Sequence, residues 1–78
     1  MIRAYILINT ETDIEEEFIE EAKNIEGVTE VTSVYGIYDF IITVEAKTME
    51  EIKEIITWKV RKIKDVKSTI TLMGINGN

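Results

Sequence analysis

With 78 residues, the chain has room for one small domain, residues 1–78, which buries only about 60% of the surface its unfolded form exposes and so gains from a partner. It contains no cysteine and no histidine, which excludes a disulfide staple, a Cys/His zinc site, an imidazole base and a thiolate nucleophile. The net charge of -6 argues against nucleic acid as a direct partner, because lysine and arginine displacing counterions supply most of that affinity.

The first strand is expected over Ile2 to Asn9, with Ile2, Ala4, Ile6 and Ile8 on one face and Arg3, Tyr5, Leu7 and Asn9 on the other. Both faces carry apolar groups. This run of about eight residues is too short for a membrane span and has no signal-peptide flanks, so a cytoplasmic protein is expected. Thr12 with Glu15 makes a capping-box pattern that opens a helix, in which Ile14, Phe18, Ala22 and Ile25 form the apolar stripe. The glutamates of the first turns complement the helix dipole and need no substrate to explain them.

Gly27 is expected to end that helix as its C-cap, and the second strand runs from Val28 through Val31 and Val34. Gly36 then serves as the pivot of a β-hairpin, and the third strand covers Tyr38 to Ala46. Tyr38 and Asp39, just past the pivot, are two groups able to hydrogen-bond a small molecule. Their ordinary reading is a cross-strand packing residue and a turn residue.

Thr48 with Glu51 repeats the capping box and opens a second helix, whose Met49, Ile52, Ile56, Val60 and Ile63 share one arc. Ile55 and Trp58 point away from it, either as a surface feature or, in the favoured reading, as a contact with another chain. The basic residues Lys59, Arg61, Lys62, Lys64 and Lys67 surround the end of this helix, where cations meet the negative end of its dipole. A last strand spans Val66 to Met73, followed by a tail from Gly74. The abundant glutamate and isoleucine without proline suit a heat-adapted source.

Ile63-Lys64-Asp65-Val66 mirrors Ile25-Glu26-Gly27-Val28. Two strand-helix-strand units joined at Gly36 make the α+β, ferredoxin-like β-α-β-β-α-β arrangement: a four-stranded antiparallel sheet with two helices on one face. The uncovered face is expected to carry Tyr5, Leu7, Ile41 and Met73, with Val34 or Tyr35 near them. It is too apolar to stay wet, so a homodimer stacked sheet on sheet, a dimeric α/β sandwich or barrel, is predicted.

The stretches Ala4 to Thr10, Ile25 to Val28, Tyr35-Gly36-Ile37-Tyr38-Asp39 and Ile63 to Thr71 together resemble the ligand-sensing domain of the Lrp/AsnC, or feast/famine, transcriptional regulators, also called the RAM domain. The resemblance covers Arg3 to Leu72. It implies sheet-stacked dimers, their assembly into tetramers or octamers, and small effectors, usually amino acids, bound where dimers meet. Carried over by position, the ligand-binding residues are Tyr35, Gly36, Tyr38, Asp39, Ser68, Thr69 and Thr71. Asp39 would pair with a ligand ammonium, the N–H groups around Gly36 would receive its carboxylate, and the hydroxyls would orient it. At Tyr35 a smaller residue, often threonine, is common in the family.

Regulators of the family carry a helix-turn-helix ahead of this module, and here the first strand begins at the second residue. A stand-alone sensing module is therefore expected, without an enzymatic activity, cofactor or metal, and with a full-length Lrp/AsnC regulator as a further partner. The alternative is a small dimeric enzyme of the cofactor-free monooxygenase type, which rests on fold analogy alone.

Overall fold

The structure is a computed structural model that describes residues 1–11 and 15–74. β1 (Ile2–Thr10), α1 (Glu15–Lys23), β2 (Val28–Ser33), β3 (Phe40–Ala46), α2 (Met49–Ile55) and β4 (Val66–Met73) follow in order. The strands form one sheet in the order β2-β3-β1-β4, and every neighbouring pair is antiparallel. This is the ferredoxin-like arrangement that the repeated strand-helix-strand pattern predicts.

The period-two alternation of β1 and β3 builds the core. Ala4, Ile6 and Ile8 lie beside Val44, Ile42 and Phe40 across the β1–β3 ladder, and all are buried against Phe18 and Ala22 of α1 and Ile52 of α2. The rings of Phe18 and Phe40 stack with centroids 4.3 Å apart, which fastens α1 over the start of β3. Thr48 caps α2 by accepting the Glu51 N–H at 3.1 Å. Glu51 Oε1 in turn accepts the N–H of Lys47 at 3.0 Å, one residue earlier than the reciprocal pattern predicts. The first capping box and Ile14 lie outside the described residues.

The second helix departs from a regular α-helix. After Ile55 it continues into a wide turn, Ile56–Val60, closed by the Arg61 N–H donating to the Ile56 carbonyl five residues back at 2.9 Å. Steps of four residues overshoot a 3.6-residue turn by about 40° each. A wide turn takes back that overshoot, so Val60 returns to the buried side.

The two halves share a turn that the sequence repeat announces but does not describe. The predicted C-cap role of Gly27 is corrected, because α1 stops at Lys23. Gly27 (φ +101) and Asp65 (φ +69) hold the same place in the two repeats, each in the left-handed region. Each is followed by a bulge: Thr29 is the extra residue between the Val28–Val44 and Glu30–Thr43 pairs, and Lys67 the extra residue between the Val66–Thr10 and Ser68–Asn9 pairs. Their carbonyls also act alike, with Gly27 accepting from the Glu45 N–H and Asp65 from the Glu11 N–H, both at 2.8 Å.

At Gly27 a Cβ would sit 2.7 Å from Ile55 Cδ1 and 3.4 Å from the Glu45 carbonyl. Gly27→Ala is therefore expected to lower stability by about 2 kcal/mol, from the left-handed backbone together with the displaced isoleucine. Chemical denaturation of the variant against the parent measures it.

Candidate functional site

The face of the sheet away from the helices is apolar. In β1 it carries Tyr5 and Leu7, both half-buried, and in β3 Ile41 and Thr43. In β4 the residues opposite Tyr5 and Leu7 are Leu72 and Ile70, which remain 50% and 45% exposed. Met73, expected on this face, instead pairs with Ala4 and packs against the core on the helix side. The β4 register is the reason: sequence alternation alone cannot decide which of two mixed faces looks outward. Ile70 and Leu72 are the residues that reading missed, although their greater apolar bulk beside Thr69 and Thr71 was a usable signal.

At the rim of this face Arg3 Nε donates to Glu45 Oε2 at 2.8 Å. The guanidinium is held above its usual range, first by hydrogen bonding with the Tyr5 side chain and then by Glu45.

The hairpin tip is longer than predicted. β2 stops at Ser33 and β3 starts at Phe40, so Tyr38 and Asp39 belong to a loop over 34–39 rather than to a strand. Gly36 (φ +135) turns the loop in open space. Tyr35 and Ile37 stand fully out from it, whereas Tyr38 is half-buried.

Asp39 holds this loop to the sheet. Its N–H donates to the Ile8 carbonyl at 2.9 Å, and its carbonyl accepts the Val34 N–H at 3.0 Å. Its Oδ2 accepts the Thr10 N–H at 2.8 Å, with Thr10 Oγ1 at 3.4 Å. The carboxylate thus satisfies a backbone donor at the end of β1.

The candidate residues of β4 divide between the two sides of the sheet. Ser68 lies opposite Asn9 on the open side, at the same end as the loop. Thr69 and Thr71 lie opposite Ile8 and Ile6 on the helix side. Thr71 borders an apolar groove of about 330 Å³ between α2 and β4, with Met49, Ile56 and Met73.

The expected pairing of Ile55 with Trp58 is corrected. Ile55 packs against the core and closes on Gly27, while Trp58 is 64% exposed with Lys62 Nζ 5.6 Å from its ring centroid. The wide turn separates the two environments.

A family model described as the Lrp/AsnC ligand binding domain matches residues 3–76. The chain belongs to this family. The Lrp/AsnC domain here is 36% identical over 73 residues to an uncharacterized HTH-type transcriptional regulator of Pyrococcus furiosus, a match covering 90% of this chain and 49% of that protein. It thus spans about half the length of that curated relative.

A shorter match, 49% identical over 47 residues, reaches a homocitrate synthase of Sulfolobus acidocaldarius and covers 60% of this chain but 10% of that enzyme. Among solved structures, a hypothetical protein from Pyrococcus horikoshii is 36% identical with a TM-score of 0.89, covering 97% of this chain and 92% of that one. A transcriptional regulator of Neisseria meningitidis in complex with L-Met shares the fold at a TM-score of 0.86 and 12% identity, covering 97% of this chain and 51% of that one. Among the described residues, no helix of this Lrp/AsnC domain is long and apolar enough to cross a membrane.

Asp39→Ala removes the acceptor of the Thr10 N–H, and a loss of about 1–2 kcal/mol in stability is expected with no ligand present, since a hydrogen bond to a charged group contributes about 1.5–3 kcal/mol before allowance for partial exposure. Thermal denaturation checks this.

Proposed function

We propose that this Lrp/AsnC domain, residues 1–78, is an effector-binding and oligomerisation module that takes an amino acid between copies of itself. The family match over residues 3–76 carries the reading, and the L-Met complex of the Neisseria regulator makes an amino acid the first ligand to try. The ligand's carboxylate is received by backbone N–H groups around Gly36, and its ammonium by Asp39, which also holds the loop. Ser68 orients the ligand from the open side, Tyr38 borders it, and Tyr35 narrows the entrance. Thr69 and Thr71 face the helix side of β4, across the sheet from Ser68, and take no part in holding the same molecule.

The assembly half of the proposal rests on the open face. Tyr5, Leu7, Ile41, Ile70 and Leu72 form one apolar surface across β3, β1 and β4, and stacking two such faces about a two-fold axis removes it from water. A standard interface takes about 800 Å² from each partner, about a seventh of the 5545 Å² this chain exposes. A helix-turn-helix regulator carrying the same module, such as the Pyrococcus relative, is a second partner for that face, and through it effector binding would reach DNA. The homocitrate synthase match covers only a tenth of that enzyme, and no observation specific to this chain favours a monooxygenase. The module is read as regulatory and not as an enzyme, working in the cytoplasm.

Two measurements test the proposal. Calorimetric titration with the twenty amino acids, L-methionine first, is expected to give saturable heat with at least one. Ser68→Ala should then weaken binding about tenfold, the equivalent of one hydrogen bond of about 1.4 kcal/mol. Flat titrations throughout would refute the sensing role. Light scattering should give a dimer or larger species for the parent. Ile70→Glu, at a site already 45% exposed in the single chain, should remain folded and lose sheet-face pairing.

A further inference from the structure

The helix layer is electrically divided, and this division does not depend on ligand binding. Glu16, Glu17, Glu20 and Glu21 line the exposed side of α1, while Lys59, Arg61, Lys62 and Lys64 are exposed around Trp58 at the end of the second helix. Among the described residues the only ion pair joins Arg3 to Glu45, so neither set is paired with the other there. The antiparallel sheet makes the two helices return in opposite directions, which sets the start of α1 beside the end of the second helix. The Glu11 N–H bonded to the Asp65 carbonyl at 2.8 Å ties these two places together.

We propose that the helix layer docks on the helix layer of a second copy, acidic α1 of each chain against the basic end of the second helix of the other, with the Trp58 rings at the centre. A two-fold axis parallel to the helices and midway between them brings α1 of one copy opposite the second helix of its partner. Both attractive contacts then form at once, as an isologous interface requires.

Trp58, 64% exposed and held under Lys62, is the kind of aromatic anchor that carries affinity, while the charges set orientation and partner choice. Lower on the layer the exposed charges are mixed, with Lys23 and Glu26 around the end of α1 and Glu50, Lys53 and Glu54 on α2. Charges of one sign do not gather there, so complementary charge is concentrated at the Trp58 end. A phosphate backbone is the competing occupant of a tryptophan among lysines. The glutamates of α1 at the same end, and the net charge of -6, repel it.

The test is the mass of the whole protein by sedimentation equilibrium. At low salt the parent is expected to assemble beyond the sheet-paired dimer, into chains because each pair presents a helix layer on both outer sides, whereas Trp58→Ala and Lys59→Glu/Lys62→Glu stop at that dimer. At about 1 M NaCl, where the screening length is about 3 Å, the parent should fall to the mass of those variants. Glu16→Lys/Glu20→Lys should also abolish this further assembly. Mixing the two charge-reversed proteins in equal amounts should restore it, because each then meets its complement on both sides.

Ile70→Glu separates this contact from sheet pairing: a helix-layer dimer should persist in that variant and vanish when Trp58→Ala is added. An unchanged mass in the charge-reversed proteins, or no recovery on mixing, overturns the proposal. So does salt-sensitive binding of a labelled single-stranded oligonucleotide that Lys59→Glu/Lys62→Glu abolishes without altering mass.

Discussion

The ladder between β1 and β3 carries the rest of the molecule. Seven residue pairs run from Ile2–Ala46 to Ile8–Phe40, and each alternate pair contributes to a core that is closed to water. With two central strands apolar on the helix side, α1 and α2 have one place to go, and Phe18 on Phe40 fixes where α1 sits. The same alternation makes the reverse of the sheet apolar too, because Leu7 and Ile41 face each other there. Core and candidate interface are therefore two sides of one constraint, and weakening either strand disturbs both.

The architecture was legible because its signals were redundant. The repeated Ile-x-x-Val turn, the Thr48–Glu51 cap and the alternation of β1 and β3 each point to the same fold, and agreement across levels is what makes a sequence readable. What escaped were features decided by register and by local hydrogen-bond span. Met73 lies on the helix side, against the expected alternation, because Lys67 bulges and the strand's two faces differ little in polarity. The wide turn at Ile56 left no mark in the spacing of Ile52, Ile56 and Val60, since those residues satisfy either kind of helix. Asp39 looked like a free turn carboxylate, and only the path of β1 reveals that its oxygen meets the Thr10 N–H.

That bond changes how a sensing role would work. A carboxylate that anchors its own loop can answer a ligand only together with the loop, so binding and loop geometry are coupled through Asp39. Gly36 leaves the loop free of side-chain contacts at its tip, and Phe40 ties the other end into the core through Phe18. Any change imposed on residues 34–39 is thus delivered to the first rung of the β1–β3 ladder, next to the surface proposed for pairing. Recognition and assembly become one process in such a layout, without a separate transmitting element.

The wide turn over Ile56–Val60 amounts to one residue of slack in the second helix. Relatives that differ by a single deletion there would carry a regular helix with Val60 still on the buried side, because it would then lie seven residues, about two turns, from Ile52. The exposed segment around Trp58 would be rearranged while the core, held on both sides of the turn by Ile52 and Val60, stayed as it is. A one-codon change in length at this spot is therefore a way for otherwise similar chains to keep their fold and exchange neighbours.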